Sequence, residues 1–146
     1  MSEKNYAALL LEKQLCFPLY AASREVIKHY RPYLDALGLT YTQYIVMLVI
    51  WEEETISVRD LGRRLHLDSG TLTPVLKTIE KAGLINRRRS TLDERVLMVS
   101  LTEAGRAMQQ QVLEIPAAIA GSAGLTHEEG YQLLALLNKV LVTHEG

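Results

Sequence analysis

Apolar residues recur along this chain with two different periods, and the change of period divides it. Between residues 12 and 37, Leu15, Leu19, Val26, Ile27, Tyr30, Leu34 and Leu37 fall at helical spacing, with Gly38 placed to close the helix. Pro18 lacks an N–H and disfavours helix at the residue before it. The helix is therefore expected to begin near Phe17 or Pro18, or to kink there, and to bend again at Pro32. Thr40-x-x-Gln43 has the form of a capping box. It predicts a second helix from Tyr41 to about Trp51, apolar nearly all round and hence buried. Residues 52–55 read as a solvated polar turn. Ser57-x-x-Asp60 then starts a short helix with Leu61 and Leu65 inward. His66-Leu67-Asp68 is a turn, and Asp68 or Ser69 caps a longer helix whose inward stripe is Leu72, Val75, Leu76 and Ile79. Gly83 ends it. Short helix, three-residue turn and longer helix make a helix-turn-helix pattern.

Beyond Gly83 the period falls to two. Residues 85–89 and 96–100 read as strands, with Leu97, Val99 and Leu101 on one face and a polar loop at 90–95 between them. Thr102-Glu103 caps a helix running to about Ala120, with Pro116 as its kink site. Thr126-x-x-Glu129 is another capping box, opening a last helix to about His144 with Leu133, Leu134, Leu137 and Leu141 along one stripe. The predicted fold is mostly α with a small β-hairpin wing. A winged helix-turn-helix at 41–101 is flanked by N- and C-terminal dimerisation helices at 1–40 and 102–146.

Composition narrows the class. An apolar content of 48% over 146 residues suffices for a core. One cysteine argues against a disulfide-stapled secreted protein. Glu3 and Lys4 near the start do not resemble a leader, and the longest apolar run, residues 45–51, is too short for a bilayer. A cytoplasmic protein with no membrane partner is expected. His29, His66, His127 and His144 lack metal-ligand spacing, and nothing asks for a cofactor or metal. The net charge of −1 hides an uneven distribution: residues 59–95 carry +4 and the remainder −5. A basic middle between acidic ends suits a local polyanion site.

That middle is expected to read double-stranded DNA. The second helix of such a motif enters the major groove. Its outward residues here, Ser69, Gly70, Thr71, Thr73, Pro74, Lys77, Thr78 and Lys81, are small, polar or basic, as close approach requires. Hydroxyls of Ser69, Thr71 and Thr73 suit base edges or phosphates, and Lys77 suits a phosphate. Pro74 cannot donate to the Gly70 carbonyl, so the first turn is open to bending. At the wing tip, Arg95 suits a narrowed minor groove, with Asp93 placed to hold it. Arg87, Arg88 and Arg89 lead into the wing and suit phosphates. The apolar stripes of the terminal helices exceed what one small core needs, which predicts a homodimer on a palindromic operator.

Cys16 lies beside Phe17 and Pro18, at the expected start of the first long helix. A helix N-terminus stabilises a thiolate, the form that attacks peroxides and disulfides. Tyr20, four residues on, is placed to share its face. On spacing alone, an inert core thiol is the commoner reading.

The element order, Gly70-Thr71-Leu72-Thr73-Pro74, Asp93-x-Arg95 and Leu101-Thr102-x-x-Gly105 resemble the MarR family of winged-helix regulators over nearly the whole chain. Leu11-Glu12-Lys13-Gln14-Leu15-Cys16-Phe17, with Tyr20, Tyr30, Tyr41 and residues 68–74, is similar to its one-cysteine, organic-hydroperoxide-sensing (OhrR) branch. The resemblance implies a repressor, not an enzyme. Its Cys16 would be oxidised by an organic hydroperoxide and capped by a low-molecular-weight thiol. Tyr30 and Tyr41 would reach the thiolate of the partner subunit, and Phe17 would make the pocket apolar. Four alternatives share these residues. They are a regulator induced by a non-covalent apolar or phenolic ligand, a one-cysteine regulator of virulence or antibiotic response, a thiol peroxidase, and a protein-binding winged helix.

Overall fold

The computed structural model describes residues 4–144. Glu3, used above against a leader, and the outermost residues of the two dimerisation segments lie outside that range. The elements are two single-turn 3-10 helices (Ala7–Leu9, Leu11–Lys13), α1 (Cys16–Asp35), α2 (Tyr41–Glu53), β1 (Thr55–Ser57), α3 (Val58–Leu65), α4 (Ser69–Lys81), β2 (Ile85–Arg89), β3 (Leu97–Leu101), α5 (Glu103–Val112), α6 (Ile115–Ser122) and α7 (His127–Thr143). They fall into two compact units. One comprises Met1–Tyr30 with Ala117–Gly146; the other is Arg31–Pro116.

The second unit is a winged helix, and its local chemistry is the chemistry read from the sequence. The Thr40 hydroxyl accepts from the Gln43 N–H while the Gln43 side chain accepts from the Thr40 N–H. Ser57 caps α3 through the Asp60 N–H and Asp68 caps α4 through the Thr71 N–H. Gly83 takes the left-handed conformation (φ +82°) that ends α4. Met47, Ile50, Leu61, Leu72, Leu76, Ile79, Ile85 and Val99 are fully buried and form its core. Leu65, expected inside, is half-buried.

Two expectations change. The polar break after α2 is not a solvated turn. α2 continues through Glu53, and Thr55–Ser57 forms a third strand, giving the antiparallel order β1-β3-β2. Ile56 pairs with Val99 and is buried, while Arg64 holds both Glu52 and Glu53 and Arg106 holds Glu54. A three-residue strand is too short to show alternation, so its pairing decided it. The helix after Thr102 is two helices, because Pro116 has no N–H for the Val112 carbonyl and α5 ends at Val112. α1 starts at Cys16, next to the expected start near Phe17. Pro18 is its third residue, where an N–H has no intrahelical partner anyway.

One close approach locks the wing to the helices. Gly105, in the first turn of α5, sits against the turn that follows α4. A Cβ there would lie 2.2 Å from the Leu84 carbonyl oxygen. The Gly105 carbonyl in turn accepts from the buried Trp51 indole N–H at 2.8 Å, satisfying the one polar atom that Trp51 brings into the core.

In the other unit the pattern is opposite. α7 carries its capping box at Thr126 and Glu129 but buries none of its residues. Leu133, Leu134, Leu136 and Leu141 are exposed, as are Leu9, Leu10 and Leu11.

Candidate functional site

The helix-turn-helix presents an open polar face. Ser69, Thr71, Pro74, Lys77, Thr78 and Lys81 are exposed along α4, while Thr73 is half-buried. Pro74 does not interrupt the helix, and the Thr78 hydroxyl donates to the Pro74 carbonyl at 3.1 Å. The Asp68 carboxyl is held below its ordinary range, chiefly by the hydrogen bond from the Thr71 backbone N–H. The start of α4 is thereby fixed by an ionised cap.

The arginine triplet divides by contact: alternation puts Arg87 and Arg89 on one face and Arg88 on the other, and of the three only Arg87 is partly covered. Arg87 stands opposite Val99 on the face that packs toward α4. Its Nε and Nη2 donate to Glu80 Oε1 at 3.2 and 3.0 Å, and its backbone N–H donates to Glu80 Oε2 at 3.0 Å. The pair holds the Glu80 carboxyl below its usual value, the Arg87 side-chain hydrogen bonds being the main cause. Arg87 thus joins the reading helix to the wing. Arg88 and Arg89 are exposed. The Glu80–Arg87 tie spans a helix and a strand, and no periodicity signals it.

At the wing tip, Asp93 does hold Arg95. Oδ1 accepts from the Arg95 N–H and Nε at 3.0 and 3.1 Å, and Oδ2 accepts from Nη2 at 3.2 Å. Those hydrogen bonds, the side-chain ones first, hold the Asp93 carboxyl low. The Arg95 side chain remains 90% exposed, so its outer edge is open to a ligand.

The thiol site lies in the other unit. Cys16 is exposed at the first position of α1. Tyr20, four residues on along the same helix, shares its face. Phe17 and Tyr20 are exposed and line a shallow depression with Ala21, Arg24, Glu25 and Lys28. The Arg24 guanidinium lies over the Tyr20 ring at 5.4 Å and donates to its hydroxyl at 3.4 Å. The Gln14 amide ties down the preceding segment through the Ala8 and Leu10 carbonyls. Tyr30 is fourteen residues further along α1, about 21 Å away along the helix axis, so it is not brought to Cys16 of its own chain. Tyr41 is half-buried in the winged unit, its ring 6.3 Å from that of Tyr44. Burial pushes its phenol further above its ordinary value. Among the described residues, no cluster of three or more His, Cys, Asp or Glu is arranged for a metal, and no helix is long and apolar enough to cross a membrane.

The sequence profile of the family described as "Transcriptional regulator SarA/Rot" matches residues 28–112, more than half of the chain and most of the winged unit. The chain belongs to the SarA/Rot family of transcriptional regulators. It is 47% identical, over 97% of its length and 96% of the relative's, to the organic hydroperoxide resistance transcriptional regulator of Bacillus subtilis strain 168. Among solved structures, reduced AbfR of Staphylococcus epidermidis bound to DNA is similar with a TM-score of 0.76 at 38% identity, covering 91% of this chain and 93% of AbfR. Overoxidised AbfR bound to DNA gives 0.75 at 38% identity, covering 91% and 94%. The SarA/Rot assignment and these relatives bear out the resemblance to MarR-type winged-helix regulators and their hydroperoxide-sensing branch.

Proposed function

We propose that this SarA/Rot member is a cytoplasmic, homodimeric, DNA-binding repressor that senses organic hydroperoxides through Cys16 and then releases its operator. The observation that carries the proposal is an exposed thiol in the first turn of α1, beside Phe17 and Tyr20, in a chain that also holds a complete winged helix. The relative's role in organic hydroperoxide resistance and the DNA-bound state of AbfR support it.

The chemistry balances as follows. The Cys16 thiolate attacks the terminal peroxide oxygen of ROOH, the O–O bond breaks, and the alkoxide leaves and takes a proton as ROH. Cys16 is then a sulfenic acid. No second cysteine exists in the chain. A low-molecular-weight thiol therefore attacks the sulfenic sulfur, forms a mixed disulfide and releases water. The protein is oxidised once per event and acts as a switch, not as a catalyst. Because overoxidised AbfR is found on DNA, the bulkier mixed disulfide is the better candidate for the releasing state.

The second copy supplies what one chain lacks. The exposed leucines of α7 and of the N-terminal segment suit a two-fold interface. Tyr30 and Tyr41 of one subunit then donate to the thiolate of the other, and a thiol adduct at Cys16 breaks these contacts and respaces the two α4 helices. On DNA, Ser69, Thr71, Thr73 and Lys77 meet the major groove, Arg95, held by Asp93, meets the minor groove, and Arg88 and Arg89 meet phosphates. Arg87 supports them from behind through Glu80.

The test is DNA binding by reduced protein before and after one equivalent of an organic hydroperoxide with a small thiol, with Cys16→Ser alongside. Release by the wild type and retention by the variant is the expected result. Release by both, or by neither, rejects Cys16 as the switch.

A further inference from the structure

Leu92 is 95% exposed, and the loop around it is ordered so as to hold it there. The Ser90 hydroxyl accepts from the Leu92 N–H at 3.2 Å, the Ser90 N–H donates to the Val96 carbonyl at 2.8 Å, and the Val96 N–H donates to the Asp93 carbonyl at 3.0 Å. Asp93 then clamps Arg95. An isobutyl group standing in water at the tip of a hydrogen-bonded turn gains nothing from the fold of its own chain.

The charges of the same loop make its role more specific. Residues 90–95 carry two carboxylates, Asp93 and Glu94, against one guanidinium, Arg95. The attraction to a polyanion comes from Arg88 and Arg89 just before the loop, not from the tip itself. A contact with DNA at this tip must draw on shape and apolar surface as well. The minor groove offers both. Its walls are sugar C–H surface, and proteins that enter it pair basic side chains with apolar ones that pack or wedge between base steps. Arg95, three residues from Leu92 and exposed, supplies the basic member.

We propose that Leu92 is an apolar minor-groove contact, entering beside Arg95 and reading groove width through the sugar walls. This rests on the DNA-binding reading above and extends it to a residue outside the expected polar and basic set. The role is separable from phosphate contacts because counterion release makes those salt-dependent, whereas an apolar contact is not.

The experiment uses reduced, full-length protein and a duplex that the wild type selects from a randomised pool. Affinity is measured over a salt series for the wild type, Leu92→Ala and Arg95→Ala. Leu92→Ala is expected to bind about fivefold to tenfold more weakly with an unchanged salt slope, as loss of one buried apolar contact predicts. Arg95→Ala is expected to weaken binding and reduce the slope. The far-ultraviolet spectrum and Tm of Leu92→Ala should match the wild type, since the side chain is in solvent. Binding by Leu92→Ala within twofold of the wild type, or a changed slope, overturns the proposal. Failure of the wild type to select any duplex overturns the DNA-binding reading itself, and is seen before either variant is made.

Discussion

The two units of this chain differ in how far each satisfies itself. The winged unit holds the buried apolar side chains from Leu34 to Ile115, and among the described residues only Ile119 is recorded as buried outside it. Its polar groups are partnered across elements as well, Trp51 with Gly105, Arg87 with Glu80, and Arg64 with Glu52 and Glu53. The terminal unit has equally good local chemistry, including a complete capping box on α7, yet leaves its leucines other than the half-buried Leu137 exposed. Capping and periodicity decide whether a helix forms; only a facing surface decides whether it is buried. The winged unit is thus complete within itself, and the thiol-bearing unit keeps an apolar surface exposed.

The sharpest way to break the winged unit is Gly105→Ala. The new Cβ meets the Leu84 carbonyl and disturbs the Trp51 hydrogen bond, so a loss of about 3 kcal/mol is expected, as for other overpacked sites. Urea unfolding checks it, and a midpoint equal to that of the wild type would mean that the turn yields easily. The corresponding change in the terminal unit is Leu133→Glu. It should leave the winged fold intact by spectroscopy while sedimentation shows a monomer. Operator affinity should fall about 100-fold, because the second half-site no longer binds intramolecularly.

Two matched caps sharpen the contrast. Thr102 caps α5 through the Gly105 N–H and donates to the Gly83 carbonyl, whereas Thr126 caps only its own helix. Thr102→Ala should cost about 1–2 kcal/mol of stability and Thr126→Ala about 1 kcal/mol or less. Equal effects on Tm would contradict the view that one unit is more tightly integrated. The mildest effect is on pH dependence. Asp68, Glu80 and Asp93 have carboxyls held below their unfolded values. Their stabilisation is present at neutral pH and is lost as pH falls through the folded values. The unfolding midpoint should stay level from pH 7 to about 5 and drop below about pH 4. Glu80→Gln should flatten that drop, and an unchanged acid limb would remove Glu80 from the explanation.

The sequence alone determined the caps, the glycine stops and the helical stripes, whose causes are local. The capping boxes at Thr40 and Thr126, the caps at Ser57 and Asp68, the glycine stops at Gly38 and Gly83 and the helical stripes involve residues three or four apart, and each is written in adjacent letters. The Asp93–Arg95 clamp was legible for the same reason. β1, the Glu80–Arg87 tie, the Trp51–Gly105 bond and the pairing of the acidic run with Arg64 and Arg106 were not legible. Each joins residues that periodicity does not relate, and burial and partner choice at such distances depend on how the elements pack. The candidate site divides along the same line. Cys16 and Tyr20 share a face because a helix repeats every 3.6 residues. That Arg87 is partly covered while Arg88 and Arg89 are exposed was decided only by Glu80 on the neighbouring helix.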